Sequence, residues 1–216
     1  MTQWVARDAV RYSAADVARM LDLSSPRQVT KWRGWRVGCQ DSWKHASGRR
    51  PSPPLSFWDV VEVQHLRAAA AVVGIRGACD LARFAFENPD HPSFAFARPL
   101  IRREWGDLVA NIAKEHPRGD RARELLDQVR FDFRGDADWL SLGDGAVSLN
   151  PFVGGQPVIP YTGIKASVVF DRVRSGETPE DVASDLGLPS LLGHKLVTAA
   201  AGWFRSHFCE REKHES

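Results

Sequence analysis

Two short amphipathic segments separated by only four residues govern what the first third of this chain can become. Ser13 is a good N-cap, and Ala14, Val17, Ala18 and Leu21 follow it at helical spacing. Asp22–Ser25 supplies a tight turn, and Pro26 stands where the first turn of a second helix favours it. In that second segment Val29 and Trp32 fall three apart and can pack on the first helix, which leaves Arg27, Gln28, Thr30, Lys31 and Arg33 pointing outward. Two short helices, a turn and a basic, polar outer face are what a helix-turn-helix requires. Long cationic side chains reach phosphates, while Arg and Gln make bidentate contacts to base edges in the major groove.

After Gly34, the stretch Trp35–Leu55 is too rich in breakers for a helix, holding Gly38, Gly48, the basic pair Arg49-Arg50 and the run PSPP. Its aromatics suit a short hairpin, a wing that would lay Lys44, Arg49 and Arg50 against the phosphate backbone. Ser56 caps the next helix with Asp59 three residues on, and Val63, Leu66, Ala70 and Val73 mark its expected buried stripe. Gly74 interrupts, and a further helix is expected from about Ile75 to Phe86. Charge follows the same division. Residues 1–76 hold 12 Lys/Arg against 6 Asp/Glu, whereas residues 77–216 hold 17 against 21. A basic segment joined to a mildly acidic remainder marks where a polyanion would bind.

The segments YSAADVARMLDLSSPRQVTKWRGW and PPLSFWDVVEVQHLRAAAAVVGIRGACDLA resemble the N-terminal DNA-binding domain of MerR-type regulators. That family carries a helix-turn-helix ending in Trp or Tyr, a wing, then a helix followed by Gly and a second short helix. The resemblance implies that Arg27, Gln28, Thr30, Lys31 and Arg33 belong to a recognition helix. The wing here is longer than the family usually carries.

Asn88-Pro89-Asp90-His91-Pro92 is the best candidate boundary. Beyond it, Phe94–Phe96 and Leu100–Trp105 read as strands of a hairpin, with Gly106-Asp107 as a turn and Leu108–Ile112 returning. A helix is expected around Asp120–Gln128, a strand at Arg130–Phe133 and a turn at Arg134–Asp138. Asp132, Asp136, Asp138 and Asp144 invite a metal or acid–base reading, but they stand beside Gly in turns, where Asp is favoured for local hydrogen bonding. Gly143-Asp144-Gly145 and Gly154-Gly155 follow no phosphate-binding pattern, and no nucleophile elbow or zinc-protease motif occurs. The widely spaced Cys39, Cys79 and Cys209 make no metal-ligand cluster. The expectation is therefore a protein without enzymatic activity, metal or cofactor.

In the last third, Val158-Ile159 and Gly163–Lys165 frame a small strand or turn region, and a helix near Val168–Arg174 ends at Gly176. Thr178 caps a second helix with Pro179 at its first position, and Val182, Ala183 and Leu186 form its apolar face. Gly187-Leu188-Pro189 leads to a third helix from about Ser190. Pro157-Val158-Ile159, Gly163-Ile164-Lys165 and Gly176-Glu177-Thr178-Pro179-Glu180-Asp181-Val182-Ala183 resemble a family of helix-turn-helix domains of unknown function associated with PIN-domain (VapC) toxins. Lys165 replaces that family's usual Arg, which keeps the charge and loses the bidentate fork.

The order of these parts is similar to a VapB-type antitoxin group, over most of the chain from Tyr12 to about Trp203. The resemblance implies an antitoxin that neutralises a PIN-domain ribonuclease toxin and represses its own operon. Charge separates the two ends. The second C-terminal helix carries Glu177, Glu180, Asp181 and Asp185, and the third offers little beyond His194 and Lys195 for a phosphate. The C-terminal unit is thus expected to bind protein, either a second copy or the toxin, with Lys195, Trp203, Phe204, Arg205, Phe208 and Arg211 as candidate contacts. The fold class expected is α+β, mainly α. Its parts are a winged helix-turn-helix over 1–88, a central hairpin and helix region over 89–146 and a three-helix domain over 147–216. The partners expected are double-stranded DNA, a second copy in a homodimer and a toxin. The longest strongly apolar run, Ala68–Ile75, is too short for a bilayer and the N-terminus lacks a secretory signal, so a cytoplasmic protein is expected. Two other readings stand beside the antitoxin: a stand-alone MerR-like transcription factor responding to a small effector, and an adaptor using both helical units without DNA.

Overall fold

The structure, a computed structural model, describes residues 12–38, 55–87, 99–149, 156–189 and 191–209. It divides between Asp138 and Trp139 into two compact units.

In the first unit, helix α1 (Ala14–Met20) opens on a reciprocal cap. The Asp16 amide donates to Ser13 Oγ at 3.0 Å, and the Asp16 carboxylate accepts from the Ser13 amide at 3.0 Å. The chain reverses through Asp22, at φ 51°, into α2 (Pro26–Gly38). This helix continues through Trp35 to Gly38, where a hairpin was expected, because a lone Gly inside a helix costs only about 1 kcal/mol. The rest of the expected wing lies outside the described residues.

Helix α3 (Phe57–Glu87) begins with a second reciprocal cap between Ser56 and Asp59. At Gly74 (φ 73°, ψ 169°) it is broken, as the sequence indicates, into two helical stretches. Every residue from Phe57 to Leu66 is buried, since α2, a 3-10 turn at Pro99–Ile101 and helix α5 (Gly119–Asp127) all pack on this stretch. The expected stripe holds for Val63 and Leu66, but Val73 is exposed; near the break it is Ala68, Ala69 and Val72 that are buried. Surrounded in this way, the helix has no solvent face to give its polar residues. Gln64 places its amide nitrogen internally, donating from Nε2 to the Leu125 carbonyl at 3.0 Å and to Gln128 Oε1 at 2.6 Å.

The hairpin expected over Leu100–Ile112 is absent. Arg103–Lys114 is helix α4, with Trp105, Val109 and Ala113 buried four residues apart, the spacing of one helical face. Phe94–Phe96 and the Asn88–Pro92 breaker lie outside the described residues. Strand β1 (Val129–Phe131) follows α5, and the turn after it is held by Asp132 Oδ1, which accepts from the amides of Arg134 at 2.8 Å and Asp136 at 3.1 Å.

Strand β2 (Ala137–Leu142) runs from the end of the first unit into the second, and the small sheet has the order β1-β2-β3. Strand β3 (Val147–Leu149) pairs antiparallel with β2 in the register Leu140↔Leu149 and Leu142↔Val147. Single bridges join Ser148 to Val158 and Val158 to Lys165, as expected for that region. Three helices complete the second unit: α6 (Ala166–Arg174), α7 (Pro179–Asp185) and α8 (Gly193–Phe204). Thr178 caps α7 as its sequence demands, its Oγ1 accepting from the Asp181 amide at 3.1 Å. Helix α8 starts three residues later than Ser190. The class is α+β, mainly α.

Candidate nucleic-acid interface

The two faces of α2 divide as the sequence requires. Val29 is fully buried and Trp32 is 6% exposed, whereas Arg27, Thr30 and Lys31 are exposed and Gln28 is half-buried. Arg27 and Lys31 lie one helical turn apart, so both cations leave the same side of the helix. Two of the polar candidates are partly occupied within the chain. Gln28 Nε2 donates to Ser24 Oγ at 2.9 Å, and Thr30 Oγ1 donates to the Arg27 carbonyl at 3.0 Å. Gln28 keeps its second N–H and its amide oxygen, enough for a base edge. Arg33 is on α2, but its side chain, like Lys44, Arg49 and Arg50, is outside the described residues.

Beneath this helix Trp32, Leu55, Asp59, Glu62, Val63, Leu66 and Leu100 line a cleft with room for about one water molecule. Deeper still lies a group the sequence reading missed. His65 is fully buried, stacks on Phe131 at a centroid distance of 6.0 Å and makes a short hydrogen bond between Nδ1 and the Leu100 carbonyl. Among the described residues its buried Nε2 has no hydrogen-bond partner. Burial pushes its pKa down to about 4, against the opposing pull of the Leu100 carbonyl, so the ring is neutral at physiological pH. Nothing in the local sequence announces this; only the enclosure of α3 on several sides does.

The four aspartates do not converge. Asp136 forms a buried ion pair with Arg102 at 2.7 Å, Asp132 holds its own turn, Asp138 faces Arg130 at 3.9 Å, and Asp144 occupies a turn at φ 53°. Among the described residues no group of three or more His, Cys, Asp or Glu is placed to hold a metal ion.

In the second unit Lys195 and Arg205 are exposed, and Arg211 is outside the described residues. Trp203 is not an outward anchor. It is 6% exposed, stacks on His207 at 4.5 Å and lies so close to the Gly143 backbone that a Cβ there would fall 2.2 Å from its ring. Phe204 and Phe208 are half-buried and stack on one another at 5.0 Å, with Phe204 also tilted against Phe170 at 5.4 Å. These rings cover apolar surface within their own unit, which is why the tail folds back. Elsewhere in the unit Arg172 gathers two acids, making a bidentate pair with Glu177 and a 2.7 Å contact with Asp185. Glu180 and Asp181 remain exposed.

No protein-family model matches the chain, and no curated protein matches its sequence. The fold is similar to the crystal structure of Rv2018 from Mycobacterium tuberculosis, with a TM-score of 0.61 and 20% sequence identity over 90% of this chain and 99% of that one. Among the described residues no helix is long and apolar enough to cross a membrane.

Proposed function

We propose that the chain is a DNA-binding transcriptional regulator of the type II antitoxin kind. In this reading it represses its own operon through a MerR-like winged helix-turn-helix and neutralises a PIN-domain ribonuclease toxin. The observation that carries the DNA-binding part is the division of α2: Arg27 and Lys31 stand in solvent while Val29 and Trp32 fix the helix from beneath. A helix held this way presents its cations on the solvent side, and each neutralised phosphate adds to affinity through counterion release.

The second unit supports a protein-binding role. Acidic side chains surround α7, and Lys195 is the exposed cation on α8, a poor complement to a phosphate backbone. That unit is the part assigned to the toxin or to a second copy in a homodimer, with Lys195 and Arg205 as the outward contacts. The toxin itself is inferred from the motifs around Pro157–Ile159 and Gly176–Ala183.

The double variant Arg27→Ala/Lys31→Ala tests the central part. Fluorescence anisotropy with duplex from the protein's own promoter region should show weaker binding. The salt dependence should be shallower by about 1.8 in log–log slope, the value for two lost phosphates. Thermal stability should be unchanged, because both residues lie on the solvent side. Unchanged affinity rejects the assignment. Charge reversal at Lys195 should leave duplex binding intact, and its loss with assembly undisturbed would move the second unit into the DNA interface.

A further inference from the structure

Phe133 is the most exposed large apolar side chain among the described residues, at 91%, and it stands on a tightly bonded turn. The Asp132 amide donates to the Asp136 carbonyl at 2.8 Å, and the Gly135 amide donates to the Asp132 carbonyl at 3.0 Å. Asp132 Oδ1 accepts from two further amides, those of Arg134 and Asp136. The Gly135 carbonyl ties the turn to the start of α4 by accepting from the Arg103 amide at 3.0 Å. None of these bonds uses the Phe133 ring, so the turn presents a ring that covers little of its own unit.

Charge at this corner is sorted by side. The acids face inward: Asp136 is buried against Arg102 at 2.7 Å, Asp132 holds the turn's amides, and Asp138 is half-buried facing Arg130 at 3.9 Å. The arginines face outward. Arg134 is exposed, with its guanidinium 5.2 Å from the Phe133 ring centroid, and the exposed Arg103 donates to the Asp132 carbonyl at 3.4 Å. An aromatic face with cations fixed beside it fits a planar ring that carries a negative charge next to it.

We infer that Phe133 and Arg134, with Arg103 beside them, form a stacking site for an unpaired nucleotide of a nucleic-acid strand. The base lies on the Phe133 ring, and its phosphate meets the guanidiniums. A second copy of the chain is a poor occupant, because an isologous contact would bring the same arginines face to face. An acidic peptide would satisfy the arginines and leave the ring without a stacking partner. The site takes any base, since every base has a π-face, and it does not depend on duplex binding by α2.

The test uses the full chain and a short labelled single strand without self-complementarity, as DNA and as RNA, followed by fluorescence anisotropy. Phe133→Leu keeps apolar bulk and removes the π-face. It should weaken binding about tenfold, within the range for one lost stack, whereas Phe133→Trp should bind at least as tightly as wild type. Arg134→Met should make the log–log salt slope shallower by about 0.7, the value for one phosphate of a single strand. Both side chains stand in solvent, so melting temperatures should match wild type. The strand type that shows the Phe133→Leu loss identifies the source of the nucleotide. No binding of either strand by wild type, or equal binding by wild type and Phe133→Leu, overturns the site. So does an equal loss on a fully paired duplex, where no base is free to stack. Failure of wild type to bind duplex rejects the α2 reading alone, because the single-strand assay does not draw on it.

Discussion

Acidification tests the core of the first unit through one side chain. His65 is fully buried and its pKa is depressed from 6.5 to about 4, so the folded protein binds fewer protons than the unfolded chain between those values. Stability from this group is complete above pH 6.5, falls as pH drops through the interval, and levels off below pH 4. A shift of that size corresponds to about 3 kcal/mol, a large share of the stability of an ordinary domain. The comparison is with His65→Asn, which retains a donor for the Leu100 carbonyl and does not titrate. Urea denaturation of both proteins from pH 7 to pH 4 should show the wild type losing about 3 kcal/mol more than the variant, with contributions from all other groups cancelling. The imidazole resonances of His65 should also hold their neutral positions at pH 5.5. Parallel stability profiles, or an imidazole that titrates near 6.5, would refute the enclosure of α3 on which the account depends.

Three further expectations test other parts of the molecule. Gly143→Ala would push a methyl group against Trp203 at φ 56°, and should destabilise the second unit by about 3 kcal/mol in thermal unfolding followed by tryptophan fluorescence. Asp136→Asn removes the closer of two acidic partners of the buried Arg102, with Glu104 remaining at 3.4 Å, and should cost about 3 kcal/mol by chemical denaturation, whereas Glu124→Gln, on the surface, should cost under about 1 kcal/mol. Arg27→Ala/Lys31→Ala should weaken duplex binding and flatten its salt dependence, with a melting temperature close to wild type; loss of fold would show that these cations hold the structure rather than a ligand.

The sequence by itself determined where helices begin and break. Ser13, Ser56 and Thr178 open theirs through side-chain oxygens within three residues of the amides they satisfy, and Gly74 breaks α3 through its own φ. Such features are local, so neighbouring residues suffice to read them. The outward placement of Arg27 and Lys31 was legible for the same reason, since residues one or two positions from Val29 and Trp32 point to other sides of a helix. Tertiary structure alone decided how many sides of a helix are enclosed. Leu100–Ile112 contains both an alternating and a helical apolar pattern, and packing of Trp105, Val109 and Ala113 selects the helix. Likewise the burial of Gln64 and His65 and the inward turn of Trp203 depend on segments far apart in the chain. No local pattern encodes a neighbour that arrives from sixty residues away.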